Sequence, residues 1–314
     1  MNAEILKHYL ETGTYTYAGY YKEYYKSLPD DITQLGSLIC SQVIHRVTLR
    51  DGNKNANHDL IYGDMTLFPW YRMRCEDDIL LTSNAMTAEL LRLDEKGFTW
   101  HRRVEDKIVV CCRYVSVLMS AILKAKGIPC RSRAGFAPYL IKDESWDHWI
   151  NQYWDYKCKR WITFDADAFF NKNELGFDQY DIPENKFDWP AQVWLQIRDG
   201  SIDGKRFIFA DADRTNSLKA VLRYLFYDFH AIMNNELTFS FQPWFFDNKL
   251  EQLSRQDFLE IDELAKLMLD VDGNFKELVY LWNTKKKYRI INSPLLGDAD
   301  NEMLAECLGE KLTT

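Results

Sequence analysis

Three residues in the middle of the chain could together carry nucleophilic catalysis. Cys112 supplies a thiol, His148 an imidazole and Asp165 a carboxylate, in that order along the sequence. A thiol becomes a strong nucleophile when a neighbouring base or imidazolium stabilises its thiolate. A carboxylate on the second ring nitrogen of a histidine fixes the tautomer and orientation of that ring. These residue types predict a cysteine nucleophile that a histidine–carboxylate pair activates.

The segment after Cys112 has the apolar pattern of an amphipathic helix. Gly127 ends this pattern and Pro129 follows it, as is typical of helix C-termini. Cys112 is therefore expected at a helix N-terminus, where the macrodipole favours a thiolate and backbone N–H groups can donate to an oxyanion. The apolar positions of the helix recur at i, i+3, i+4, i+7 and i+8: Val115, Leu118, Met119, Ile122 and Leu123.

Three strand-like segments follow, at 130–136, 149–154 and 161–164. The last two are rich in aromatic and β-branched residues, and the polar stretch 155–160 joins them. This pattern predicts an antiparallel hairpin, with His148 opening its first strand and Asp165 closing its second.

The register of this hairpin decides which side chains share a face. If Trp154 pairs with Trp161, His148 faces Asp167 and Asp165 lies diagonally beside it. A slip of one residue would reverse that parity. Both Asp165 and Asp167 are then candidates for the orienting carboxylate.

These motifs together resemble the core of the transglutaminase-like superfamily. Its members show a Cys that opens a helix ending in Gly-Ile-Pro-x-Arg, then a His-bearing strand, then a strand ending Trp-x-x-x-Asp. The corresponding motifs here are Cys-Arg-Tyr at 112–114, Gly-Ile-Pro-Cys-Arg at 127–131, Asp-His-Trp at 147–149 and Trp-Ile-Thr-Phe-Asp at 161–165. The spacing to the helix-ending Gly selects Cys112 over its neighbour Cys111.

The resemblance implies an α+β fold with a papain-like core. In that core the helix that begins at the nucleophile packs on an antiparallel sheet, with helical additions at both ends of the chain. It also implies Cys112 as nucleophile, His148 as base and acid, and Asp165 rather than Asp167 as the orienting group. Two positions depart from the pattern: Val110 stands where Gly is frequent, and Trp149 follows the histidine directly where one residue often intervenes.

Active members of the superfamily attack an amide-type carbonyl through a thioester, and the acceptor, water or amine, decides the reaction. We therefore expect a cysteine-dependent hydrolase or acyltransferase that acts on a peptide, a protein or a small amide, with hydrolysis or small-molecule acyl transfer favoured over protein cross-linking. Two alternatives stay open: a binding module that retains the fold without turnover, and a biosynthetic acyltransferase that uses a carrier-bound thioester. The candidate substrate-binding residues are Trp149, Arg131 and Gln152.

The composition of the chain argues against several classes of partner. The 314 residues carry a formal net charge of −8 without a long basic tract, which argues against nucleic acid as the main partner. No apolar run approaches the roughly 18 residues of a membrane span, and the first residues lack the charged-then-apolar pattern of an export signal. The seven cysteines form no C-x-x-C pair. We expect reduced thiols, a cytoplasmic location and no metal or cofactor.

The chain is expected to have three regions with soft boundaries. Residues 1–94 form a mostly helical N-terminal region, 95–250 the transglutaminase-like core with its extension, and 251–314 a helical C-terminal region. Within the last, 255–284 is expected to form two helices split by a turn at 270–274.

Overall fold

The computed structural model describes residues 1–46, 62, 64–72, 76–168, 175–211, 213–247 and 250–292. Within these ranges the strands are β1 (Val43–His45), β2 (Ile108–Val110), β3 (Cys130–Ile141), β4 (Glu144–Asp155), β5 (Arg160–Phe164) and β6 (Phe207–Ile208). The helices are α1 (Ala3–Leu10), α2 (Lys22–Ser27), α3 (Ile32–Cys40), α4 (Ser83–Leu93), α5 (Cys112–Ala125), α6 (Pro190–Arg198), α7 (Ser217–Ile232), α8 (Arg255–Met268) and α9 (Phe275–Thr284).

The chain divides into two compact units. We call the first the Cys112 unit; it comprises Asn2–Ser132 and Trp149–Glu184. The second, the His148 unit, comprises Met1, Arg133–His148 and the described residues of Asn185–Thr314. The chain crosses between units within β3 and β4. The three regions expected from the sequence stay a prediction.

Helix α5 is the centre of the Cys112 unit. All of its residues are buried, and it contacts α1, α2, α3 and α4. On a further side, the Ser116 hydroxyl donates to the Ile150 carbonyl oxygen at 3.1 Å, and the Asn151 amide donates to the Ser116 carbonyl oxygen at 3.0 Å. These bonds tie α5 to β4. The helix ends as predicted, with Gly127 at a φ of +79° that a side chain would strain.

Strand β4 pairs with β5 in the predicted register. Trp154 lies opposite Trp161, and Asn151 lies opposite Phe164. A helix that begins at Cys112 therefore packs against an antiparallel pair of strands, and the α+β prediction is confirmed. A second, parallel pair joins β1 to β2, with His45 opposite Val110.

The start of β4 differs from the expectation. The strand begins at Glu144, so the prediction that His148 opens it is wrong. The strand starts earlier because β4 is hydrogen-bonded to β3, which ends at Ile141, with only two residues between it and Glu144. In the His148 unit β6 also pairs in parallel with Ser145 and Trp146.

The rest of the His148 unit is helical. Helix α6 contacts α7 and α8, and α8 contacts α9. A buried ion pair joins β3 to α7, because Arg133 donates to both carboxylate oxygens of Asp228 at 2.7 and 2.8 Å. The expected pair of C-terminal helices is confirmed, with the turn between Met268 and Phe275.

Candidate active site

Cys112 is the first residue of α5. The preceding residue, Cys111, is the N-cap with extended backbone (φ −123°, ψ −175°), and its carbonyl accepts the Tyr114 N–H at 3.0 Å. Cys112 therefore lies in the first turn, where backbone N–H groups lack intrahelical acceptors and the positive end of the helix dipole favours anions. Its side chain is almost entirely buried.

The adjacent Cys111 has a different chemistry. Its thiol donates to the Asp77 carboxylate at 3.5 Å, and Arg46 pairs with the same carboxylate oxygen at 3.1 Å. Burial raises the pKa of the Cys111 thiol well above its ordinary value, and contact with Cys112 and the charge of Asp77 act in the same direction. The surroundings of Cys111 therefore disfavour its thiolate.

Asp165 follows directly after the end of β5 and is buried. Gln179 binds both backbone groups of Asp165. The Asp165 N–H donates to the Gln179 backbone carbonyl at 2.9 Å, and the Gln179 side-chain amide donates to the Asp165 carbonyl at 3.0 Å. Its carboxylate accepts the backbone N–H of Asp167 at 3.0 Å. The position of Asp165 is thus set by hydrogen bonds.

Asp167, the rival carboxylate, has another partner. One of its oxygens lies 3.3 Å from Nε2 of His45, and both side chains are almost fully buried. The two aspartates therefore have distinct surroundings although only Ala166 separates them.

His148 lies inside β4 and is buried. The ring of Tyr139 meets its ring edge-on, with 6.4 Å between centroids. The preceding Asp147 anchors the strand, because its carboxylate accepts the Tyr224 hydroxyl and the Ala210 N–H. Cys112 and Asp165 belong to the Cys112 unit, whereas His148 is the last β4 residue assigned to the His148 unit.

The three candidate substrate-binding residues are buried. Arg131 donates to the Gln152 side-chain oxygen at 2.8 Å and stacks over Trp161 at 4.2 Å. Gln152 in turn donates to the Thr163 hydroxyl at 2.9 Å. Trp149 is the first β4 residue of the Cys112 unit. A substrate role for Arg131, Gln152 and Trp149 stays a prediction.

Residues 104–166 match the model of the transglutaminase-like superfamily. The chain carries a transglutaminase-like core. The matched segment contains Cys112, His148 and Asp165, and the match supports a cysteine-dependent enzyme.

No curated protein matches the chain. Among solved structures, the crystal structure of a "putative cysteine protease" from Cytophaga hutchinsonii is similar, with 14% sequence identity and a TM-score of 0.33. The similarity covers 60% of this chain and 46% of that chain, so the chain spans less than half the length of that protein.

The described parts of the chain contain neither a candidate membrane span nor a candidate metal-binding cluster. No helix among them is long and apolar enough to cross a membrane, and they contain no group of three or more His, Cys, Asp or Glu that could hold a metal ion. None of the cysteines in the described ranges forms a disulfide, and Cys75 and Cys307 lie outside those ranges.

Sequence reasoning missed three residues near the transglutaminase-like core: His45, Asp77 and Gln179. Asp77 and His45 come from segments well before the helix, and Gln179 comes after the last motif strand. No periodicity or motif spacing links them to it. The weak signal was the short apolar run that ends at His45, which forms β1 and pairs with the strand leading to Cys112.

Proposed function

We propose that the protein is a cysteine-dependent hydrolase of an amide or peptide bond, with Cys112 as nucleophile, His148 as base and acid, and Asp165 as orienting carboxylate. One observation carries the proposal: within a segment that matches the transglutaminase-like superfamily, Cys112 is the first residue of helix α5. The helix start favours the Cys112 thiolate, whereas burial opposes it, so the proposal assigns the activation of the thiol to His148.

The reaction begins when the Cys112 sulfur attacks the carbonyl carbon and its proton passes to His148. The oxyanion of the tetrahedral intermediate accepts a hydrogen bond from the backbone N–H at the start of α5. The carbon–nitrogen bond then breaks, and the imidazolium gives its proton to the leaving amine. A thioester on Cys112 remains.

In the second half, water attacks the thioester while His148 accepts a proton from it. The carbon–sulfur bond breaks, the carboxylic acid product leaves, and the proton returns to the Cys112 sulfur. Asp165 stabilises the imidazolium in both halves and keeps the ring in the productive tautomer. If an amine replaces water in this step, the same residues perform acyl transfer.

The first test is the pH dependence of iodoacetamide labelling at Cys112. The background variant is Cys111→Ala, so that the labelled peptide contains one thiol, and exposed Cys158 serves as the reference thiol within the same molecule. We expect a low apparent pKa at Cys112 that rises in His148→Ala, while Cys158 labels identically in both. A profile near the ordinary value of about 8.5 in both proteins would contradict an activated cysteine.

The second test separates the reaction classes. Peptide and small-amide substrates are incubated with the wild type and with Cys112→Ala, with and without an added primary amine, and with a model thioester. Amide hydrolysis without added amine, lost in Cys112→Ala, supports the proposal. Turnover of the thioester alone favours the biosynthetic acyltransferase, and binding without turnover in wild type favours the binding module.

A further inference from the structure

The turn at 165–167 is held by side chains from several parts of the Cys112 unit. The thiol of Cys40, at the end of α3, donates to the Ala166 carbonyl at 2.8 Å, and Gln179 bonds both backbone groups of Asp165. Within the turn, the N–H of Asp167 donates to the Asp165 carboxylate at 3.0 Å. The backbone of Asp167 is therefore a direct hydrogen-bond donor to the carboxylate proposed to orient the catalytic histidine.

The carboxylate of Asp167 extends this arrangement to His45. The His45 Nε2 lies 3.3 Å from the Asp167 oxygen, and their side chains are 10% and 5% exposed. A carboxylate at this burial is strongly destabilised unless a donor or a cation accompanies it. The imidazole at this distance is therefore placed to restrict the carboxylate, and through it the Asp167 backbone.

His45 is also joined to the strand that leads to the nucleophile. In the parallel pair of β1 and β2 it lies opposite Val110, two residues before Cys112. The backbone N–H of His45 donates to the Tyr62 hydroxyl at 3.3 Å, and the next residue, Arg46, forms an ion pair with Asp77. His45 thus links the strand before Cys112, through its backbone, to the turn that contains Asp165, through its ring.

We propose that His45 and Asp167 form a positioning pair for Asp165. This rests on the proposed function, in which Asp165 orients His148. The His45 ring fixes the Asp167 carboxylate, the fixed Asp167 presents its N–H to Asp165, and the Asp165 carboxylate keeps one orientation. Asp167 acts through its backbone and through His45, which assigns the orienting role to Asp165.

The test compares variants by the pH profile and rate of iodoacetamide labelling at Cys112, in the Cys111→Ala background. His45→Leu removes the imidazole that lies beside the Asp167 carboxylate, whereas His45→Gln keeps a polar side chain with an N–H. The matched control is His101→Leu, which changes an exposed histidine of the same unit. Asp165→Asn and Asp167→Asn complete the set, and thermal unfolding of each variant measures stability separately.

We expect His45→Leu to raise the apparent pKa at Cys112 and to slow labelling at neutral pH about tenfold, a coupling typical of residues linked through direct contacts. His45→Gln should restore most of the rate, and His101→Leu should match the background. In the double variant His45→Leu/Asp165→Asn, labelling should be no slower than in Asp165→Asn alone, because both changes act through one carboxylate.

Several outcomes would overturn the pair. One is a Cys112 profile that His45→Leu leaves unchanged while Asp165→Asn shifts it, which would make His45 structural only. Another is a larger loss in Asp167→Asn than in Asp165→Asn, which would give the orienting role to Asp167. If His45→Leu fails to fold, His45→Gln and Asp167→Asn supply the readout: an unchanged profile in Asp167→Asn also overturns the pair. Identical profiles in the background variant and His148→Ala would instead overturn the proposed function itself.

Discussion

Helices α5 and α8 have the same length, 14 residues each, but are stabilised in different ways. Every residue of α5 is buried, whereas only Ile261, Leu264, Ala265 and Met268 are buried in α8. Helix α8 begins with a capping box between Ser254 and Asp257, a local signal that its own sequence supplies. Helix α5 has no side-chain cap, and its start is positioned by the structure around it.

The polar residues of α5 form hydrogen bonds to other elements. The Ser116 hydroxyl donates to β4 and the Ser116 carbonyl accepts from β4, and Lys124 donates to the Glu11 carbonyl at 2.9 Å. Arg113 stacks over Tyr15 at 4.7 Å. The helix that begins at Cys112 is thus fixed by tertiary contacts along its whole length. A helix like α8 depends on its cap and on one apolar face.

The largest expected loss of stability comes from a substitution that disrupts the packing of α5. Leu118→Ala should destabilise the protein by about 2–5 kcal/mol, because Leu118 is fully buried and its removal leaves a cavity. The matched change in α8, Leu259→Ala, removes a side chain that is 46% exposed and should cost less than about 0.5 kcal/mol. Urea unfolding of both variants checks the contrast. Similar losses would show that burial does not distinguish the helices.

The second prediction concerns the bond between α5 and β4. Asn151→Ala should cost about 1–3 kcal/mol, because the buried Ser116 carbonyl loses the donor that lies 3.0 Å away. The control is Gln256→Ala in α8, whose amide meets Glu260 at the surface, and it should change stability by less than about 0.5 kcal/mol. Equal unfolding midpoints for the two variants would argue against the buried bond.

The third prediction tests the local signal of α8. Ser254→Ala should cost about 1 kcal/mol, because the capping hydroxyl accepts the Asp257 N–H at 3.1 Å. Ser254→Thr keeps the hydroxyl and should retain most of the stability. Thermal unfolding compares the two, and an alanine variant as stable as wild type would mean that packing alone sets the start of α8.

The smallest expected effect is electrostatic and concerns Asp257. Partial burial raises the pKa of its carboxyl, but hydrogen bonds from Lys287 and Ser254 lower it more, so the pKa lies below its usual range. Its contribution to stability is therefore present above the unfolded-state pKa and is lost as the pH falls through the lower folded-state pKa. In Lys287→Met the pKa of Asp257 should rise.

The pair is partly exposed, so the loss at neutral pH should stay below about 1 kcal/mol. An NMR titration of the Asp257 carboxyl measures the pKa, and unfolding at acidic and neutral pH measures the linked stability. An unchanged Asp257 pKa in Lys287→Met would assign its lowering to the cap alone.

The sequence by itself determined the elements that local physics specifies. The 3.6-residue apolar period predicted α5, Gly127 marked its end, and the apolar and aromatic stretches predicted the hairpin of β4 and β5, whose register the structure decided. These features depend on backbone geometry and on which face of an element is apolar, and both are written into neighbouring residues.

Only the tertiary structure decided the rest. It paired β6 with the start of β4, distinguished the surroundings of the Cys111 thiol from those of its neighbour through Asp77, and brought His45 beside Asp167. Each of these contacts links segments far apart in the chain. The free energy of such contacts comes from burial and from partners supplied by other elements, so no local spacing could predict them.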